Sequence, residues 1–298
     1  MMDLLTILKS IIHDLLAGEV NGSLKNADFT KAWETVVLLP ISRICFIIDN
    51  AQQTQRGYDK NTAVYFGLLN RINDFLQNER RIVAAGLMDE ELSSIFSRII
   101  LEDNIKLQYY LRHPEKLDDY RRATIKGEIE YEKVINANRE AREPNPELDA
   151  YEDKLLDSIH KAYVIADYDG KTKVPGVPDM RAMAKDVDLE QLYVTYRMEC
   201  HYTHGDWFDL TRNYLKEENG LYFPRESSRD TDIRKLNPIL EICYKTMNEF
   251  LEMIHDHGIA TDFLYELDQD EAFIRMFDHM HYNFIGHRPL RYNIDKIL

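Results

Sequence analysis

Residues Tyr196-Arg197-Met198-Glu199-Cys200-His201-Tyr202-Thr203-His204-Gly205-Asp206-Trp207 bring an arginine, a carboxylate and two histidines into roughly two helical turns, and then meet a glycine. On a helix, Tyr193, Arg197, Cys200 and His204 fall at i, i+4, i+7 and i+11, so a cation, a thiol and an imidazole share one face with a tyrosine. Arg197 could hold a phosphate or another oxyanion there while His204, two turns on, trades protons. Tyr196, Glu199 and His201 stand beside the pair as supporting residues. The same residues also have a structural reading, in which His204 caps the last carbonyls of its helix and Arg197 pairs with a carboxylate.

A second set lies more than ninety positions upstream. Arg98 and Glu102 stand at i, i+4 on a face that continues through Ile105 and Tyr109, so two charges ride an apparently buried stripe. Charges in such a place must be paired or hydrogen-bonded. Functionally, Arg98 would bind an anion and Glu102 would orient His204 or accept a proton; structurally, the two would neutralise each other. His201 and His204 at i, i+3 raise the question of a metal, as do the histidines of the last fifty residues. No His-Glu-x-x-His or paired Glu-x-x-His signature accompanies them. No Gly-rich phosphate loop, Gly-x-Ser-x-Gly elbow, kinase or dinucleotide fingerprint is present either, so neither a metal nor a cofactor is expected.

The elements that must position these residues read as helices. Gly and Pro are few, at 12 and 9, alternating strand-like runs are nearly absent, and long windows repeat with a period of 3.6. Leu4, Leu5, Leu8, Ile11, Ile12 and Leu15 form a first stripe, ended near Gly18. Asn26-Ala27-Asp28 caps a helix running towards Asn50, which Pro40 should kink or split. Further helices are expected over Asn61 to Arg80, Met88 to Leu111, Glu115 to Arg142 and about Thr231 to His255. The stretch Glu115 to Arg142 is a long charged arm, or one half of a hairpin with the helix after Pro144-Asn145-Pro146. Loops are expected over Asp167 to Asp179 and Glu217 to Ser228, with a short helix and a ragged tail after Gly258. The expected architecture is an all-α multi-helix bundle forming a single domain over 1–298, with a helical hairpin at 115–165 and a C-terminal extension at 259–298.

With 37 basic against 52 acidic side chains the formal charge is -15, which disfavours broad capture of phosphate backbones and leaves RNA only a local site. Cys45, Cys200 and Cys243 are far apart and odd in number, as expected of reduced thiols in a cytoplasmic protein. The amphipathic start carries an early Asp3 and no basic run before an apolar one, so it is not expected to act as a signal peptide. The most apolar stretch, Val36 to Ile48, is broken by Pro40 and Arg43 and falls short of the ~20 residues a bilayer needs, so no membrane span is expected.

Ser97-Arg98-Ile99-Ile100-Leu101-Glu102 with Tyr109-Tyr110-Leu111, followed by Leu192 to Tyr196 and His201-Tyr202-Thr203-His204-Gly205, resembles an all-helical prokaryotic family classed as a domain of unknown function. The resemblance covers roughly residues 60 to 255 and implies that Arg98, Glu102 and His204 meet in space. More distantly, Arg197 and His204 resemble the Arg-x(4 to 6)-His signature of HEPN domains, helical bundles that often act as metal-independent ribonucleases in toxin and phage-defence systems. That resemblance implies a homodimer, with Arg197 on the scissile phosphate and His204 in acid/base work. The alternative expectation is a non-catalytic helical module, in which the Arg-Glu-His set is a buried network and the charged arm or the tail binds a partner protein.

Overall fold

The computed structural model describes residues 4–54, 57–86, 90–204, 207, 210–224, 233–254 and 261–290. In chain order the helices are α1 (Leu4–Val20), α2 (Asn26–Val36), α3 (Leu38–Thr54), α4 (Lys60–Ala84), α5 (Glu90–Arg112), α6 (Leu117–Ala123), α7 (Lys126–Glu140) and α8 (Pro146–Ile165). There follow α9 (Met180–Asp186), α10 (Glu190–His204), a hairpin of β1 (Leu215–Glu218) and β2 (Leu221–Pro224), α11 (Asn237–Ile254) and α12 (Thr261–Ile285). The architecture is thus an all-α multi-helix bundle with one small hairpin among the described residues. The chain divides into two compact units, one formed by residues 1–111 and 180–298 and the other by 112–179.

Local chemistry sets the helix starts. Asp59 accepts from the backbone N–H groups of Asn61 and Thr62 at 2.9 and 3.0 Å, and Asp28 reaches back to the Lys25 N–H at 2.8 Å, satisfying donors that a helix leaves open. Pro40 lies in the first turn of α3, where a missing N–H costs nothing, and the chain breaks at Val37 between α2 and α3.

The core of the first unit is built on Phe29, Trp33, Tyr110, Tyr244, Phe250, Phe273 and Phe277, all fully buried. Helix α11 is amphipathic: Ile239, Leu240, Ile242, Cys243, Met247, Phe250, Leu251 and Ile254 are buried on one broad face, while Glu241, Lys245, Glu249 and Glu252 lie on the other. Polar groups inside are paired across helices: Gln108 Nε2 donates to Thr246 Oγ1 at 2.8 Å and the Tyr65 hydroxyl to the Tyr110 carbonyl at 2.9 Å. Where a short helix is expected after Gly258, Thr261–Ile285 is a 25-residue helix within this unit; of the expected tail beyond it, residues 291–298 lie outside the described residues. The apolar stripe of α12, Leu267, Ile274 and Phe277, is interrupted by Asp270 and His281, which hides the period in the sequence. Both polar residues are buried and held from other helices. Arg43 of α3 reaches Asp270 at 2.7 Å; Asn26 of α2 lies 2.7 Å from His281 Nε2, over whose ring Phe29 stacks at 4.4 Å.

Part of the expected loop over Glu217 to Ser228 is the β hairpin, with register Leu215↔Pro224, Lys216↔Phe223, Glu217↔Tyr222 and Glu218↔Leu221. Asn219 and Gly220 turn it with φ of 54° and 79°, as a two-residue type I′ turn requires. Residues 225–228 lie outside the described residues.

In the second unit the charged arm is not one helix. It breaks at Thr124–Ile125 into α6 and α7, and α7 runs antiparallel to α8. Arg139 meets Glu152 and Asp153 at 2.7 Å, Arg142 meets Asp149 and Glu152 at 2.7 Å, and the Tyr163 hydroxyl donates to Glu132 at 2.5 Å. A small core of Ile125, Ile135, Ile159, Tyr163 and Ala166 lies beneath. No helix of the described residues is long and apolar enough to cross a membrane.

Candidate functional site

Helices α4, α5 and α10 of the first unit each place polar groups inside. On α4, Ile72, Leu76 and Val83 form a buried stripe at helical spacing, and Glu79 occupies the same stripe. Glu79 is 2% exposed, and it accepts a hydrogen bond on Oε1 from the hydroxyl of Ser93 in the first turn of α5. Its Oε2 has no hydrogen-bond partner among the described residues. Burial pushes the Glu79 carboxyl up to about 8; the Ser93 hydrogen bond opposes that rise and the like charge of Glu199 adds to it. Glu199, on α10, is itself 5% exposed. With its carboxyl raised to about 8, first by burial, Glu79 is the neutral acid at neutral pH.

One turn along α5, the Arg98 guanidinium lies 5.7 Å from the centroid of the Tyr196 ring. Burial works against its charge, but its hydrogen bond to the Tyr196 hydroxyl and the proximity of Cys200, Tyr196 and Glu102 hold its pKa above the ordinary value. Burial also raises the Tyr196 phenol. Glu102 forms an ion pair with Lys106, one turn further along α5. Arg98, Glu102 and Tyr196 therefore share one neighbourhood, with Cys200 as a fourth member.

The other residues singled out from the sequence lie elsewhere. Arg197 is exposed, and at 100° per residue it sits about 200° round α10 from buried Glu199. His201 is half-buried. His204 is the last residue of α10, and its side chain, with those of Tyr202 and Thr203 and all of Gly205 and Asp206, lies outside the described residues. Tyr109 is buried edge-to-face on Tyr110 at 5.2 Å; eleven residues from Arg98, it is ~16 Å further along the helix and serves the core.

Glu79 and Ser93 were not singled out from the sequence. A glutamate in register with Ile72, Leu76 and Val83 is a legible signal, because a charge on an apolar stripe demands a partner. The buried serines Ser93, Ser94 and Ser97 carry no such signal, since serine is equally at home on a surface. Among the described residues no group of three or more His, Cys, Asp or Glu side chains converges as a metal site.

An all-α bundle with an inward polar layer between α4, α5 and α10 defines the class. The chain belongs to the family of unknown function DUF5677, whose model matches residues 62–222, more than half of its length. The match takes in α4, α5, α10 and the turn of the hairpin, and it bears out the resemblance to an uncharacterised all-helical family. No curated protein and no solved structure matched the chain.

Proposed function

We propose that the protein is a HEPN-like, metal-independent ribonuclease whose catalytic pair, Arg197 and His204, is carried by α10. The observation that supports this reading is the division of α10 into two faces. Tyr196 and Glu199 are bound into α5 and the buried carboxyl layer, while Arg197 stands in solvent seven residues before the helix end. An anchored helix presenting one free cation face is what positioning of a phosphate asks for. In the reaction, His204 accepts the proton of a ribose 2′-hydroxyl as that oxygen bonds to the adjacent phosphorus. The bond from phosphorus to the 5′-oxygen breaks, the leaving oxygen takes a proton from the imidazolium, and a 2′,3′-cyclic phosphate remains. Arg197 holds the non-bridging oxygens. Arg98 and Glu102 are positioning residues that act through Tyr196. A homodimer and a role in prokaryotic defence belong to the same reading.

A second reading is favoured by the inward direction of most of the polar layer. In it, Glu79, Ser93, Arg98 and Tyr196 only fix helix register, and the exposed Tyr131, Val134, Leu148 and Tyr151 of the second unit dock a partner protein.

The two faces of α10 make separable predictions. Arg197→Ala is expected to lower cleavage of single-stranded RNA about 100-fold or more with an unchanged melting temperature, because an exposed side chain contributes little to stability. Arg98→Ala is expected to lower the melting temperature by a few degrees. Undiminished cleavage by Arg197→Ala, or none by wild type, would remove the ribonuclease reading and leave the docking module.

A further inference from the structure

We infer that Trp207 and Tyr222, just beyond the end of α10, form a platform on which bases of single-stranded RNA stack; the inference rests on the reading of α10 as a ribonuclease site. Trp207 is 59% exposed and Tyr222 49% exposed, with ring centroids 5.0 Å apart and planes at 72°. Large aromatic rings are mostly buried in folded chains, and an exposed contiguous pair marks a surface that receives something. The scaffold beneath is set in advance. The Asn219–Gly220 turn fixes the register, and the Gly220 N–H is tied to Glu217 Oε1 at 2.8 Å, so Tyr222 is presented without ordering a loop.

A second copy of the hairpin is a poor cover. Glu218 and Leu221 flank the turn as the hydrogen-bonded pair, so the next residues, Glu217 and Tyr222, turn their backbone groups outward, and so do Leu215 and Pro224. Pro224 has no N–H to give along the β2 edge. Two-fold pairing of β1 edges about Glu217 would set that carboxylate against itself. A flat π face meets neither obstacle. Trp207 follows His204 by three residues, a reach of at most ~11 Å, which is the scale of a base next to a scissile phosphate. Arg197 is an exposed cation that could hold that phosphate, and Lys216 of the hairpin pairs with Glu218 at 2.6 Å. With a net charge of -15, binding must rely on stacking more than on phosphate contacts, so it should depend only shallowly on salt.

The chain holds two tryptophans, and Trp33 is 1% exposed, so acrylamide-quenchable fluorescence reports Trp207. The test is a fluorescence titration with a 2′-O-methyl oligoribonucleotide, which offers bases and phosphates but no attacking hydroxyl. Quenching of Trp207 is expected, with affinity falling by about tenfold in Tyr222→Ala, retained in Tyr222→Phe, and weaker for duplex RNA. Absence of quenching, equal affinity in Tyr222→Ala and Tyr222→Phe, or a fluorescence change driven by protein concentration alone would overturn the inference. Quenching by this analogue without cleavage of natural RNA would sink the ribonuclease reading and keep the platform. Cleavage without quenching would do the reverse.

Discussion

Glu79→Gln is expected to be more stable than wild type by about 3 kcal/mol at pH 8, yet within about 1 kcal/mol of it at pH 5. The glutamine keeps an oxygen for the Ser93 hydroxyl and cannot ionise. In wild type, burial raises the Glu79 carboxyl to about 8, against ~4.3 in an unfolded chain. A group whose folded pKa is raised contributes stability that is fully present below the unfolded value and is lost as pH rises through the folded one. The penalty therefore accumulates between pH ~4.3 and 8, as the unfolded chain gains a charge that the fold refuses. Urea denaturation of both proteins at several pH values from 5 to 8 measures the difference; parallel curves would mean that Glu79 ionises freely in the fold.

Arg43→Ala is expected to destabilise the first unit by about 3 kcal/mol. Arg43, on α3, reaches Asp270 and Glu266 of α12 at 2.7 Å each, and Asp270 is almost completely buried. Burial raises the Asp270 carboxyl, and the hydrogen bond and charge of Arg43 pull it back. Without the guanidinium a buried carboxylate is left with only the Tyr244 hydroxyl, 3.5 Å away, facing it from α11 among its described contacts. The loss should therefore be greater at pH 8 than at pH 5, and Asp270→Asn in the same background should recover at least ~1 kcal/mol of it. A loss in Arg43→Ala that Asp270→Asn leaves untouched would assign the effect to packing instead.

Much of the fold was legible because long helices write their buried stripes into the sequence. The α11 run from Ile239 to Ile254 is an example. Where polar residues sit in the stripe, as Asp270 and His281 do in α12, the period is obscured and only their partners on α3 and α2 show that they belong inside. The hairpin is hard to read from the sequence although Asn219-Gly220 is a strong turn signal, because its strands are four residues long and carry no alternating burial. The arm reads as continuous because Thr124 and Ile125 break the helix without proline, and Gly127, just beyond them, is tolerated inside a helical pattern. At the site, motif resemblance pointed to both Arg98 and Tyr196, but their contact spans 98 positions and is a tertiary fact. The expected meeting of Arg98 and Glu102 with His204 concerns a side chain outside the described residues.

The proposal that α10 carries a metal-independent ribonuclease pair meets its most direct test in one assay. Wild type and His204→Ala are incubated with single-stranded RNA in excess chelator, and the product ends are identified. Wild type is expected to leave 2′,3′-cyclic phosphate ends, and His204→Ala to be slower by about 10² to 10⁴ while keeping its helical content. RNA left intact by wild type, or cut at the same rate by His204→Ala, would contradict that assignment.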